Sequence, residues 1–153
     1  MQVEPETGVI TIRRWVCVED TGRIINPLIV EGQVHGAIAQ GIGGALTEHL
    51  IYDDAGQLLT GTFMEYAMPT ASVIPRLQTE HVEEPAGNLA GVRGVGEGGT
   101  LGPAAVLANA VADALAPLGV EPDTLPLSPA RVWAACASAE EARRRNGGGD
   151  APR

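Results

Sequence analysis

From Leu28 to Leu50 apolar residues recur at helical spacing, but glycine interrupts the run at Gly32, Gly36, Gly41, Gly43 and Gly44. Each glycine costs a helix interior about 1 kcal/mol against alanine, so together they cost several. A helix that tolerates this is expected to use its bare backbone, packing it closely against something. Its start is well specified. Asn26 offers a capping side chain, and Pro27 has the fixed φ suited to a first helical residue.

Glycine and proline are frequent throughout, 20 and 11 of 153 residues, and they fall in short motifs rather than low-complexity tracts. The length suffices for one domain with a real core. Aromatics make up only 3%, so that core must come from Ala, Val, Leu and Ile. The net charge is −9 and basic residues cluster only at Arg143–Arg145, which leaves no nucleic-acid footprint. No unbroken apolar run approaches the ~20 residues of a membrane helix. The N-terminus lacks the basic-then-apolar order of a secretory signal. Cys17 and Cys136 lie far apart without a partner motif and read as structural thiols of a reducing compartment. These features predict a cytoplasmic chain with no nucleic-acid partner and no membrane span.

Along the chain, Pro5–Gly8 is turn chemistry and the β-branched run Val9–Val18 predicts a strand. The glycine-rich helix follows, then a turn at Asp53–Gly56. Thr60–Pro75 shows no dominant period. Arg76–Glu83 alternates and predicts a second strand. Pro85–Gly99 reads as a loop, Thr100 as an N-cap, and Ala104–Leu115 as an alanine-rich helix that Pro117 ends. Ser128-Pro129 opens a last helix through about Ala142, amphipathic around Val132, Trp133 and Cys136. The expected class is α+β, a mixed sheet with glycine-rich helices, over residues 1–143. Residues 144–153 are expected to form a disordered tail.

The densest chemical signal is Gly94-Val95-Gly96-Glu97-Gly98-Gly99-Thr100. A phosphate-cradling P-loop needs lysine after Gly99, where Thr100 stands. Gly94, Gly96 and Gly99 match a dinucleotide fingerprint, yet no apolar strand precedes them. A third reading makes Glu97 the functional group, a carboxylate that glycines allow close to a ligand and that acts as a general base once shielded from water. The plain alternative is a surface loop with an incidental carboxylate. Gln33 and Gln40, seven residues apart, share one helical face and offer two carboxamides to a heterocycle. Satisfying buried backbone groups would explain them equally well. His35, His49 and His81 show no ligand spacing, and Glu19-Asp20 reads as a turn former.

Taken in order, these stretches resemble the molybdenum hydroxylases of xanthine oxidase, aldehyde oxidase and aerobic carbon monoxide dehydrogenase. The resemblance runs through Glu19-Asp20-Thr21-Gly22-Arg23, Asn26-Pro27, Glu31-Gly32-Gln33, Gln40-Gly41-Ile42-Gly43, Tyr52-Asp53, Gly94-Val95-Gly96-Glu97, Asn109-Ala110 and Leu125-Pro126. It covers most of the chain and points to the C-terminal part of the large, molybdopterin-binding subunit. It implies that Glu97 is the base taking a proton from a molybdenum-bound hydroxyl. It places Gln33, Gln40 and Gly96 at a molybdopterin-type cofactor, of which the cytosine dinucleotide is one form. The pterin dithiolene holds the metal in that family, so no protein side chain here is expected to ligate it. The implied substrate is an aldehyde, an N-heterocycle or a similar small molecule, oxidised with water-derived oxygen. The implied partners are a chain carrying the rest of the molybdenum domain and subunits bearing FAD and 2Fe-2S clusters. The chain departs from the family in two ways. The family subunit is several times longer, and the position before Gly94, often lysine there, is Arg93. A non-catalytic partner-binding or assembly module remains the alternative.

Overall fold

The computed structural model describes residues 1–147. Four short strands, β1 (Gln2–Glu4), β2 (Val9–Thr11), β3 (Trp15–Asp20) and β4 (Leu77–Val82), combine with helices α1 (Pro27–Leu46), α2 (Pro103–Leu115) and α3 (Pro129–Gly147). The class is α+β. The expected sheet is realised as two separate two-stranded ladders, β1–β2 antiparallel and β3–β4 parallel.

The strand expected over Val9–Val18 is broken after Thr11 because its halves have different partners. Val9–Thr11 folds back on Gln2–Glu4 through a turn at Gly8, whose φ is +71°. Trp15–Asp20 instead pairs with β4, from Trp15 opposite Leu77 to Asp20 opposite Val82.

Helix α1 starts as its sequence dictates, the Asn26 side chain accepting from the Ile29 N–H at 3.3 Å. It stops at Leu46 rather than Leu50, because the Thr47 and Glu48 N–H groups both turn back to the Gly43 carbonyl. Val34, Ile38, Ile42 and Ala45 face the core, where they meet Leu107, Val111 and Leu115 of α2 and Val132 of α3. Each buried Val, Ile or Leu among them stabilises the fold by roughly 1.5–3 kcal/mol. The Leu127 N–H donates to the Ala45 carbonyl at 2.7 Å and ties the approach of α3 to the end of α1.

Two further expectations need correction. Thr100 does not cap α2. It ends a single 3₁₀ turn, Gly98–Thr100, and α2 begins at Pro103. The last helix runs past Ala142 to Gly147, so residues 144–147 of the expected tail are helical, and 148–153 lie outside the described residues. In addition, the 3₁₀ turn, α2 and a second 3₁₀ turn follow one another over the 21 residues Gly98–Leu118, a run long and apolar enough by length and composition to cross a bilayer. A search for unbroken apolar runs passes over it because Asn109 and Asp113 interrupt it. Its Leu107, Val111 and Leu115 stripe is committed to the core.

The five glycines of α1 divide into two groups. A Cβ at Gly41 would stand 2.6 Å from Pro103 Cγ, and one at Gly43 would stand 2.7 Å from Pro69 Cδ. At Gly32, Gly36 and Gly44 a Cβ would meet nothing within 4 Å. Gly44→Ala is therefore expected to stabilise the isolated chain by about 0.5–1 kcal/mol. Gly41→Ala is expected to destabilise it by overpacking, roughly 1–3 kcal/mol. Urea unfolding midpoints moving in opposite directions would bear this out, and parallel shifts would contradict it.

Candidate active site

The parallel pair β3–β4 ends at Asp20 and Val82, and the chain leaving each strand builds the site. The Thr21 N–H donates to the Val82 carbonyl at 3.1 Å. Gly22 bridges Val92, and the Arg23 N–H donates to the Gly91 carbonyl at 2.9 Å. Asn88 braces the returning strand segment, its Nδ2 donating to the Val92 carbonyl at 2.8 Å and its Oδ1 accepting from the Val92 N–H at 3.2 Å. This framework delivers Arg93 and then Glu97.

Asp20 is the knot of the framework. Its Oδ1 accepts from the Gly22 N–H at 2.9 Å and the Glu84 N–H at 3.2 Å, and its Oδ2 lies 2.8 Å from Arg93 Nε. The Gly22 hydrogen bond, followed by the one from Glu84 and the Arg93 charge, holds the Asp20 carboxyl below its ordinary value. Asp20 therefore does far more than form a turn.

Beyond Arg93 the loop meets α1. Gly99 is buried, and a Cβ there would stand 3.0 Å from the Val34 carbonyl oxygen and 3.1 Å from Ala37 Cβ. The Thr100 N–H and hydroxyl both donate to the Glu97 carbonyl. The loop is thus pressed on the helical turn that carries Gln33. Glu97 itself is exposed, so the described residues of this chain do not form the shield that a general base needs.

Gln33 and Gln40 are exposed on α1, and neither carboxamide has a hydrogen-bond partner among the described residues. They do not satisfy buried backbone groups within this chain. Gly96 is exposed and open. These residues suit a flat heterocycle with a polar edge. At Gly32, Gly36 and Gly96 the space a Cβ would fill is empty, and the two carboxamides offer both donors and acceptors.

Sequence reasoning missed the pair Glu19–His81. The β3–β4 register sets them opposite each other, with His81 Nδ1 3.7 Å from Glu19 Oε1 and both atoms buried. Glu19 Oε2 stands 3.4 Å from where a Gly98 Cβ would be. A cleft of about 370 Å³ between Glu19, Ile38, Gly98, Gly99, Pro103 and Val106 opens beside them. No signal in a single sequence gives a register across about sixty residues. His35 is explained by packing, its Nε2 lying 3.4 Å from Thr79 Oγ1 on β4. Both thiols are free, and burial, before the nearby carboxylates Glu19 and Glu6, pushes Cys17 and Cys136 up. The dinucleotide reading fails here because no strand leads into Gly94 and no α-helix begins at Gly99.

The description "Molybdopterin cofactor-binding domain" matches residues 1–75. The nicotine 6-hydroxylase large subunit of Paenarthrobacter nicotinovorans is 44% identical over 133 residues, 86% of this chain and 16% of that protein. The chain belongs to the molybdopterin-binding large-subunit family of the molybdenum hydroxylases. Solved structures agree with this. Carbon monoxide dehydrogenase from Oligotropha carboxidovorans superimposes with a TM-score of 0.86 at 33% identity, over 92% of this chain and 18% of that one. Quinoline 2-oxidoreductase from Pseudomonas putida 86 does so with 0.84 at 40% identity, over 88% and 17%. The chain therefore spans less than a fifth of the length of these relatives.

The Asp20 carboxyl predicts a definite pH behaviour. Its folded value lies below the ordinary 3.8, so its contribution is fully present above pH 3.8 and is lost as pH falls through the lower folded value. A carbon-13 titration of the Asp20 carboxyl should give a midpoint below 3.8, and one at or above 3.8 would contradict these hydrogen bonds.

Proposed function

We propose that this chain supplies the general base and part of the cofactor cradle of a molybdenum hydroxylase, which oxidises an aldehyde, an N-heterocycle or a similar small molecule with water-derived oxygen. The observation that carries the reading is the packing of Gly99 on α1, which sets the Glu97 loop against the open, glycine-lined turn bearing Gln33. Residues 1–143 act as a portion of a larger molybdenum-binding domain, completed by a partner chain or by further sequence. FAD and 2Fe-2S clusters reside on partner subunits, and the cytosine dinucleotide form of the cofactor fits the same reading. The N-heterocycle names of the relatives at 44% and 40% identity favour that substrate class. Two free thiols support a cytoplasmic location.

When bound, the molybdenum cofactor supplies the two-electron redox chemistry. The protein's share is positioning and proton transfer. Gln33, with Gln40 on the same face, would hold the cofactor by donating and accepting hydrogen bonds. Gly32, Gly36 and Gly96 let the ligand approach backbone. The Glu97 carboxylate accepts the proton that the water-derived oxygen gives up as it becomes a nucleophile, then returns it to solvent. Glycines on both sides of Glu97 remove side chains that would hold the carboxylate off.

In the assembled enzyme, Glu97→Gln keeps the shape and removes the basicity. Turnover is expected to fall by about 10²-fold or more with cofactor content intact. Glu97→Asp should also be poor because the shorter arm does not reach. Near wild-type turnover of Glu97→Gln would overturn the assignment. Gln33→Ala should lose activity or cofactor occupancy, by roughly 1–3 kcal/mol for an unpaired buried partner, while the fold survives. Unchanged activity and metal content would remove Gln33 from the site. The chain alone is expected not to bind the cofactor tightly, and sub-micromolar stoichiometric binding by the isolated chain would refute a shared cradle. A natively isolated protein that carries neither molybdenum nor larger partner chains would favour a non-catalytic assembly module instead.

A further inference from the structure

We propose that Arg93, clamped by Asp20, is a positioning residue for Glu97, fixing the stem of the loop that presents the carboxylate. The inference rests on the reading of Glu97 as the base. Arg93 Nε lies 2.8 Å from Asp20 Oδ2 and donates to the Glu84 carbonyl at 3.3 Å. The same aspartate accepts from the N–H groups of Gly22 and Glu84. One carboxylate thus joins the end of β3, the segment leaving β4 and the residue four before Glu97. The arginine stem lies directly over the turn, for a Cβ at Gly22 would stand 2.7 Å from Arg93 Cγ.

Downstream of Arg93 the loop has little lateral support. A Cβ at Gly94 or Gly96 would meet nothing within 4 Å, and Gly98 faces only the Glu19 carboxylate. Between the glycines, the half-buried Val95 packs against the core, the Thr100 N–H holds the Glu97 carbonyl, and Gly99 rests on α1. Glu97 therefore sits on a glycine-rich span with few anchors, of which the Arg93 clamp is the upstream one, and releasing that clamp loosens the stem of the loop. Misplacement of a reacting group by ~1 Å costs about 10²-fold in rate. The pair is too exposed, at 41% and 37%, to contribute much to stability. Its effect should be on geometry. Arginine suits the task because its planar guanidinium keeps a fixed direction, which a lysine ammonium does not.

The test uses the assembled holoenzyme. Arg93→Ala is expected to lower kcat by about 10-fold or more, with KM and cofactor content little changed. In the Glu97→Gln background the same change should add no further loss, because a residue acting through Glu97 has nothing left to position. Arg93→Lys should recover part of the rate. Amide hydrogen exchange at residues 94–98 should quicken in Arg93→Ala while the core amides stay protected, a readout independent of turnover. Wild-type kcat in Arg93→Ala, an equal further loss in the Glu97→Gln background, or unchanged exchange at 94–98 would each overturn the proposal. If Arg93→Ala does not assemble, Asp20→Asn, which removes the charge and keeps the shape, is expected to give the same three results. Near wild-type turnover of Glu97→Gln would sink the base assignment and this inference together. An inactive Glu97→Gln beside a fully active Arg93→Ala would sink this inference alone.

Discussion

The contact between Gly99 and α1 leaves no room for a side chain on Gly99. With a Cβ, Gly99 would press on the Val34 carbonyl at 3.0 Å and on Ala37, and the loop would have to lift from the helix. Most features of the site depend on that approach. It seats the backbone at Gly99 on the α1 turn 34–38, next to Gln33, and it sets Gly98 beside Glu19 at the end of the parallel ladder. It also starts the 3₁₀ turn that leads through Pro103 into α2, whose Leu107 and Val111 then fill the core against α1. Core packing and loop placement are thus one constraint. A change that loosens the α1–α2 interface reaches Glu97 through the five residues 98–102.

The outer surface has the opposite character. Leu28 and Ile29 on α1, Phe63 and Met64 before β4, and Leu89 and Leu101 on either side of the loop are all largely exposed. Large apolar side chains in such number are unusual on a finished surface. The relatives are more than five times longer, and on the proposed reading this surface is the inner face of a larger domain. The core that holds the loop is complete within this chain, whereas the walls that would exclude water from it are not.

Much of this was legible in the sequence where the physics is local. The Asn26-Pro27 start of α1, the alanine-rich α2 and the Pro129 start of α3 follow from capping and periodicity, which act over one or two turns. The break in the Val9–Val18 strand was not legible, because it depends on two partners, one just upstream and one about sixty residues downstream. The same blindness hid the site's framework. Asp20 looked like a turn former, and its part in holding Arg93 appears only when β3 and β4 lie side by side. Glu97, Gln33 and Gln40 could be singled out from their glycine context, but their exposure could not. A sequence pattern shows which backbone is bare without showing what will cover it.

The glycines of α1 make that last distinction physical. Gly41 and Gly43 are bare because Pro103 and Pro69 occupy the space, so this chain accounts for them fully. Gly32, Gly36 and Gly44 carry the same helix-propensity cost with nothing against them. A folded chain gains nothing from that cost in isolation, since alanine would fit at each position. The cost is offset only when a ligand or another polypeptide comes against the helix where a methyl group would stand. Gly32 and Gly36 flank Gln33, and Gly44 lies one turn beyond Gln40, so the open glycines and the free carboxamides follow one another along the helix. The open glycines and the exposed carboxamides therefore mark one surface. On the proposed reading, that surface is the one met by a flat polar ligand and the protein that encloses it.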